Sequence, residues 1–305
     1  AMSPSDPAAS TPPARSPVGM AALALLLGAG LGVAAWWWLG RAPAQSVETP
    51  DEIVVPAHLL TWAEAGGFDT GLEAVADLLA CRDGGVAVTG GGRLRKFTGD
   101  EGSVVFDVAC GEARSVCERA DGSLWVCLPD AIVTFAADGR DTGSLPLTPP
   151  VEACAIAAGD DAVYVADAAA HPEARVRILD ANGGEQGRSF GQAVPAEGFE
   201  GLKTSSTDPR PFLDLAWDPA GELLVVNIGR FRIDRFDPAG KRLGGVGHAA
   251  GAKAREDLAG FVGCCNPIAF TRLADGRLAT CEKGVGFARV KVLDADGALS
   301  GVVAP

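Results

Sequence analysis

One short pattern recurs along the chain and narrows its folds more than any other feature: an apolar run, a turn built on Asp and Gly, and a second apolar run. It reads LLACRDGGVAV at 78–88, SVCERADGSLWVC at 115–127, CAIAAGDDAVYVA at 154–166, LDLAWDPAGELLVV at 213–226 and IAFTRLADGRLATC at 268–281. Asp and Gly tolerate positive φ at the tip of a two-stranded connection, so each copy predicts a tight antiparallel hairpin. With Gly84, Gly122, Asp160, Gly221 and Gly276 as markers, successive copies lie 38, 38, 61 and 55 residues apart.

A third strand is predicted after each hairpin: RLRKFTGD at 93–100, AIVTFAAD at 131–138, RVRILDAN at 175–182, FRIDRFDPAG at 231–240 and RVKVLDADG at 289–297. Polar and apolar residues alternate there with period two, as in a strand with one packed face and one polar face. The basic residues of these strands, Arg175, Arg177, Arg230, Arg232, Arg235, Arg289 and Lys291, are expected to point outward and balance acidic turns. A fourth short segment closes each unit: GSVVFDV, GSLPLTP, GEQGRSF, GKRLGGVG and GALSGVV. Four strands per unit, five units and no amphipathic helix between them predict an all-β β-propeller, in which radial stacking buries both faces of each small sheet.

The units resemble NHL-repeat blades, whose pattern runs Pro, apolar strand, Asp-Gly, apolar strand, Asp, then a basic-apolar strand ending Asp-x-Asp-Gly. The fifth unit, NPIAFTRLADGRLATCEKGVGFARVKVLDADG, matches best. The stretches GFVGCCNP and CEKGVGFARVKVLDADGALSGVVA look more particularly like bacterial membrane-anchored NHL-type proteins of unassigned function. The resemblance covers residues 53–305 and implies an extracytoplasmic, six-bladed propeller in which an N-terminal strand completes the last blade. AHLLTWAEAGG at 57–67 is the candidate for that strand. Only five units are recognisable, so either the sixth blade is incomplete and the chain a fragment, which is the first expectation because an open ring leaves unpaired edges, or five units close a smaller ring.

Residues 1–15 are rich in Pro, Ser and Ala and read as a disordered tail, and 41–52 read as a linker. Residues 16–40, SPVGMAALALLLGAGLGVAAWWWLG, carry no charge between Arg15 and Arg41. That length suffices for one membrane span, with Trp36, Trp37 and Trp38 at one headgroup layer. A cleaved signal peptide with Ala42-Pro43-Ala44 as its site is the alternative. Either reading sends the propeller across the inner (cytoplasmic) membrane to the periplasmic side. Gly28 and Gly32 form a weak GxxxG dimerisation signal. The formal charge of −13 lies entirely beyond residue 50, because Asp6, Arg15, Arg41 and Glu48 cancel before it. An acidic domain repels phosphate backbones, which argues against nucleic acid as a partner.

Long loops on a rigid scaffold commonly carry binding. The two long spacings come from residues 183–210 and 241–266, each running from an outer strand to the next inner strand. They are therefore expected to cover one rim side by side, with Arg210-Pro211 and Asn266-Pro267 at equivalent entrances. The candidate binding residues are Arg210, Cys264, Cys265, Asn266, Glu282 and Lys283, for a protein or small-molecule ligand. Asp167, Asn227 and Glu282 fall just beyond the second strands of three units. They are candidate Ca²⁺ ligands in an alternative reading, a metal-dependent hydrolase or lactonase in the central channel. The same position in NHL units also needs Asp or Asn to satisfy turn backbone, and no cofactor is the first expectation.

The eight cysteines are Cys81, Cys110, Cys117, Cys127, Cys154, Cys264, Cys265 and Cys281. Adjacent Cα atoms, about 3.8 Å apart, are too close for an unstrained Cys264–Cys265 disulfide. A redox accessory role for that pair is the third reading. Cys127 and Cys281, at equivalent second-strand positions among apolar residues, are expected to be small core residues. His58, His171 and His248 belong to no recognisable triad.

Overall fold

The computed structural model describes residues 55–62, 67–99, 101–204, 212–250, 257–263, 266–273, 275–283 and 289–303. The proposed anchor and its flanks, as well as Arg210, Cys264 and Cys265, lie outside the described residues. Among the described residues, no helix is long and apolar enough to cross a membrane.

Five four-stranded antiparallel sheets follow one another along the chain. The first holds β2 (Asp77–Ala80), β3 (Val86–Gly90), β4 (Arg93–Phe97) and β5 (Val104–Ala109). The second holds β6 (Ser115–Glu118), β7 (Leu124–Cys127), β8 (Ala131–Phe135) and β9 (Asp141–Pro146). The third holds β10 (Ala153–Ala158), β11 (Ala162–Asp167), β12 (Glu173–Asp180) and β13 (Glu185–Phe190), with β14 (Leu202–Lys203) paired to the start of β12. The fourth holds β15 (Leu215–Asp218), β16 (Glu222–Asn227), β17 (Arg232–Phe236) and β18 (Arg242–Val246). The fifth holds β19 (Ala269–Arg272), β20 (Leu278–Glu282), β21 (Arg289–Leu293) and β22 (Leu299–Val303). The first strands pack successively, β2 on β6, β6 on β10, β10 on β15 and β15 on β19, so they surround the axis of a propeller.

The described residues form five blades rather than the six that the NHL resemblance implies. The expected outer strand is present in part as β1 (Leu60–Trp62). It does not complete a sixth blade: it pairs parallel to β22, Leu60 opposite Val302, at the outer edge of the fifth. A few residues later Phe68 stacks on Phe97, with ring centroids 4.9 Å apart, and Arg95 Nη1 reaches the Thr70 carbonyl at 2.6 Å. Chain that begins on the fifth blade thus ends over the first.

Apolar packing lies between blades. One cluster joins the first and second, a second joins the second and third, and the largest runs from the third to the fifth. Leu223, Leu224, Val225 and Val226 of β16 are all completely buried, because an interior strand is covered on both faces. That is why the second strands read as unbroken apolar runs while the outer β13, EQGRSF, hides only Phe190.

The outer part of each joint follows one design. Phe106 of β5 packs on Gly139 in the second blade's last turn, and Phe190 of β13 packs on Gly240 in the fourth. A Cβ at Gly139 would sit 2.5 Å from the Phe106 ring, and one at Gly240 2.3 Å from the Phe190 ring. Both glycines also have φ in the left-handed region, +85° and +89°, which L side chains adopt only at a cost. Phe68 meets Gly102 in the same way at 2.5 Å. It serves the first blade as the outer strand of a preceding blade would.

Candidate binding site at the channel mouth

In a propeller whose first strands face the axis, residues at the start of those strands stand at the mouth of the central channel. Asp77 begins β2, Ser115 begins β6 and Asp214 directly precedes β15. Each reaches across to the next blade. Asp77 Oδ2 accepts the Val116 N–H at 2.9 Å, Ser115 Oγ accepts the Ile156 N–H at 3.4 Å, and Asp214 Oδ2 accepts the Phe270 N–H at 2.9 Å. Asp77 and Asp214 also cap their own strands through the Leu78 and Leu215 N–H groups.

The two carboxyls keep some solvent access but lie deep among protein atoms. Burial raises the pKa of Asp77. Burial, reinforced by the charge of Asp77 across the channel, pushes Asp214 up to about 8. Ionising both at neutral pH would place like charges in a poorly solvated mouth, which favours a protonated Asp214. The Asp214 charge in turn adds to burial in raising the Cys281 thiol.

The two long loops open onto this mouth. Each leaves an outer strand, β13 or β18, and enters the next inner strand, β15 or β19; those outer strands take up 185–190 and 242–246 of the stretches expected to be loop, and 205–210, 251–256 and 264–265 lie outside the described residues. The ends of the second strands hold neighbouring loops: those of the fourth and fifth blades hold the two long connections, and that of the third holds the shorter loops at Glu152 and Ala169. In the third blade, Asp167 accepts the Glu152 and Ala169 N–H groups, both at 3.0 Å, and pairs with Arg175 at 2.9 Å and Arg177 at 2.8 Å. Burial alone would raise the Asp167 pKa, but these donors outweigh it and hold it below the ordinary value. In the fourth, Asn227 Oδ1 accepts the Lys203 N–H at 2.9 Å and Nδ2 donates to Asp234 at 2.7 Å. In the fifth, Glu282 Oε1 accepts the Val262 N–H at 3.2 Å while Oε2 takes Arg289 Nε at 2.5 Å.

The three residues considered as calcium ligands therefore sit in three separate blades, with their oxygens turned to guanidinium and backbone groups. Among the described residues, no group of three or more His, Cys, Asp and Glu side chains is placed to hold a metal ion. Asn266 is buried and staples the loop: Nδ2 donates to the Val262 and Lys283 carbonyls, and Oδ1 accepts the Lys283 N–H at 2.8 Å. Lys283 is exposed, with its ammonium 4.9 Å from the Phe212 ring. Of the expected binding residues described, Lys283 alone faces solvent; Asn266 and Glu282 shape the rim from beneath.

The expectation that third-strand cations point outward is wrong for Arg177, Arg289 and Lys291, the Arg289 side chain being only 7% exposed. Arg177 is buried and donates to the Thr148 and Pro150 carbonyls, and Lys291 is completely buried with Nζ on the Leu258, Ala259 and Gly260 carbonyls. In both blades the preceding loop folds over the third strand. Its carbonyls need donors there, and the cation supplies them.

Cys81, Cys110, Cys117, Cys127, Cys154 and Cys281 are free thiols, all buried except the half-buried Cys281. Burial pushes Cys117 and Cys154 up to about 12, which leaves them inert at neutral pH. On the opposite rim a cavity of about 110 Å³ separates the fourth and fifth blades. Its charges are already matched, Arg235 with Glu222 and Arg272 with Asp218.

Sequence reasoning passed over Asp77, Ser115 and Asp214, although a signal exists. Each lies seven residues before its hairpin glycine: 77 and 84, 115 and 122, 214 and 221. The attention given to acidic residues in turns hid the two that open strands.

No protein-family description matches the chain, and no curated protein matches it. Its shape resembles several solved structures. A streptogramin B lyase structure is 16% identical with a TM-score of 0.52, over 76% of this chain and 69% of that one. A catalytically inactive virginiamycin B lyase from Staphylococcus aureus, with quinupristin, is 13% identical with a TM-score of 0.50, over 76% and 70%. A protein of unknown function from Bacteroides caccae is 15% identical with a TM-score of 0.46, over 74% and 72%. The likeness to the two lyase structures shows the propeller fold and nothing about chemistry.

Proposed function

We propose that this protein is a membrane-tethered, extracytoplasmic NHL-type propeller that binds a ligand at one channel mouth. The rim that carries the two long loops forms the binding face, and the Asp77–Asp214 pair forms its floor. The observation that carries this reading is that pair: two deeply placed carboxyls at the starts of inner strands in different blades, with the charge of Asp77 helping burial to raise Asp214. A cationic group, such as a protonated amine, displaces the Asp214 proton and pairs with both charges. The tether rests on the charge-free run at 16–40.

Titration calorimetry with spermidine as the probe tests the site. The expected result is saturable binding that releases a proton and tightens as pH rises toward 8, and that is lost in Asp77→Asn/Asp214→Asn. Binding that is absent, or equal in wild type and double variant, overturns the reading.

One observation also favours catalysis. A carboxyl with a pKa of about 8 beside a second carboxyl is suited to general acid–base work near neutral pH. Turnover of lactone or ester substrates with a pH–rate limb near 8, removed by Asp214→Asn, would establish that alternative.

A further inference from the structure

The inner face of the fifth blade holds polar donors that the protein leaves unused. By register Thr280 lies opposite Lys291 and Glu282 opposite Arg289, so all four side chains share one face of the β20–β21 pair. The Arg289 side chain is only 7% exposed. Its Nε pairs with Glu282, but among the described residues Nη1 and Nη2 have no hydrogen-bond partner, and neither has Oγ1 of the completely buried Thr280. Buried donors are nearly always satisfied, and a guanidinium left with two empty amino groups is costly.

The third blade shows how the same position is normally filled. There Arg175 and Arg177 occupy the places of Arg289 and Lys291 beside Asp167. Both guanidiniums reach the Pro150 carbonyl, and Arg177 also takes the Thr148 carbonyl and Glu185. In the fifth blade the loop carbonyls of Leu258, Ala259 and Gly260 are all drawn to Lys291. Asp257 acts on Lys291 from the loop while hydrogen-bonded to His248, and no described acidic group reaches the Arg289 amino groups. Burial depresses Lys291 to about 8; Glu282 and Asp257 oppose the shift and Arg289 adds to it.

We infer that Arg289 Nη1 and Nη2, with Thr280 Oγ1, form a buried binding site for a small monoanion of chloride size, which completes the hydrogen bonding beneath the 257–262 loop. Glu282 is shared between Arg289 and Lys291, so a small anion supplies the acceptor that the two Arg289 amino groups lack. The site is independent of the channel mouth and of any ligand bound there.

The test measures thermal unfolding of the intact protein in sodium chloride against sodium gluconate at equal ionic strength, together with bromide-soaked crystals. The expected result is a melting temperature that rises with chloride and saturates. At ten times the dissociation constant the folded-to-unfolded ratio gains roughly tenfold. Bromide should give an anomalous peak at the Arg289 amino groups. Arg289→Met abolishes both effects. Thr280→Val, which sacrifices no hydrogen bond within the protein, keeps the fold and weakens the chloride response. Identical melting in the two salts overturns the inference, even if Arg289→Met is destabilised equally in both, and so does a chloride response that survives in Thr280→Val at full strength. A bromide peak without any chloride dependence also overturns it and marks an adventitious ion only.

Discussion

At the scale of single residues, Asp214 sits between opposing demands. Its carboxyl ties the fourth blade to the fifth through the Phe270 N–H, yet burial and Asp77 resist its ionisation. The ordinary value of 3.8 applies in the unfolded chain and about 8 in the fold, so between these values the native state binds more protons. Stability is full below about pH 4, falls as pH rises through the window, and levels off above 8. Asp214→Asn removes this group's contribution. Its stability relative to wild type should therefore increase from pH 5 to pH 8.5, as read from urea midpoints; a constant difference contradicts the raised value. The thiols give a second residue-scale prediction. Cys117, Cys127 and Cys154 should resist iodoacetamide in the native state at pH 7.5 and react once the chain is unfolded in guanidinium. Rapid native labelling of these three would mean that the blade interfaces are open.

At the scale of elements, joints between blades are made twice, by side chains near the axis and by an apolar side chain on a glycine at the periphery, an aromatic ring at Gly139 and Gly240 and an aliphatic group at Gly183 and Gly297. Phe190 is one of the outer contacts: it lies 4.7 Å from the Phe236 ring and covers Gly240. Phe190→Ala should cost about 3–5 kcal/mol in chemical denaturation, the usual range for an aromatic removed from a core. Gly240→Ala should cost at least about 1–2 kcal/mol from backbone conformation alone, before its Cβ meets the ring. The hairpins were legible because Asp-Gly turns and period-two alternation are local signals. The burial of Arg177 and Lys291 was not, because alternation shows which residues share a face but not which face a distant loop will cover. Asp167, Asn227 and Glu282 were found at the correct repeat position. Their work of holding loops shows only once the partners at Glu152, Lys203 and Val262 are in view.

At the scale of the whole molecule, five repeats predicted five sheets, and five are present. The junction between first and last was illegible, since β1 pairs in parallel with a strand at the far end of the chain and no turn connects them. The central claim is that these sheets wheel round one axis and bring Asp77 and Asp214, remote in sequence, to a single opening. The most direct test is carbon-13 NMR titration of the aspartate carboxyls, assigned with Asp77→Asn and Asp214→Asn. The account predicts that Asp214 titrates near pH 8 in the wild type and at lower pH once Asp77 is replaced. Two carboxyls that both titrate near pH 4, each indifferent to loss of the other, would contradict it.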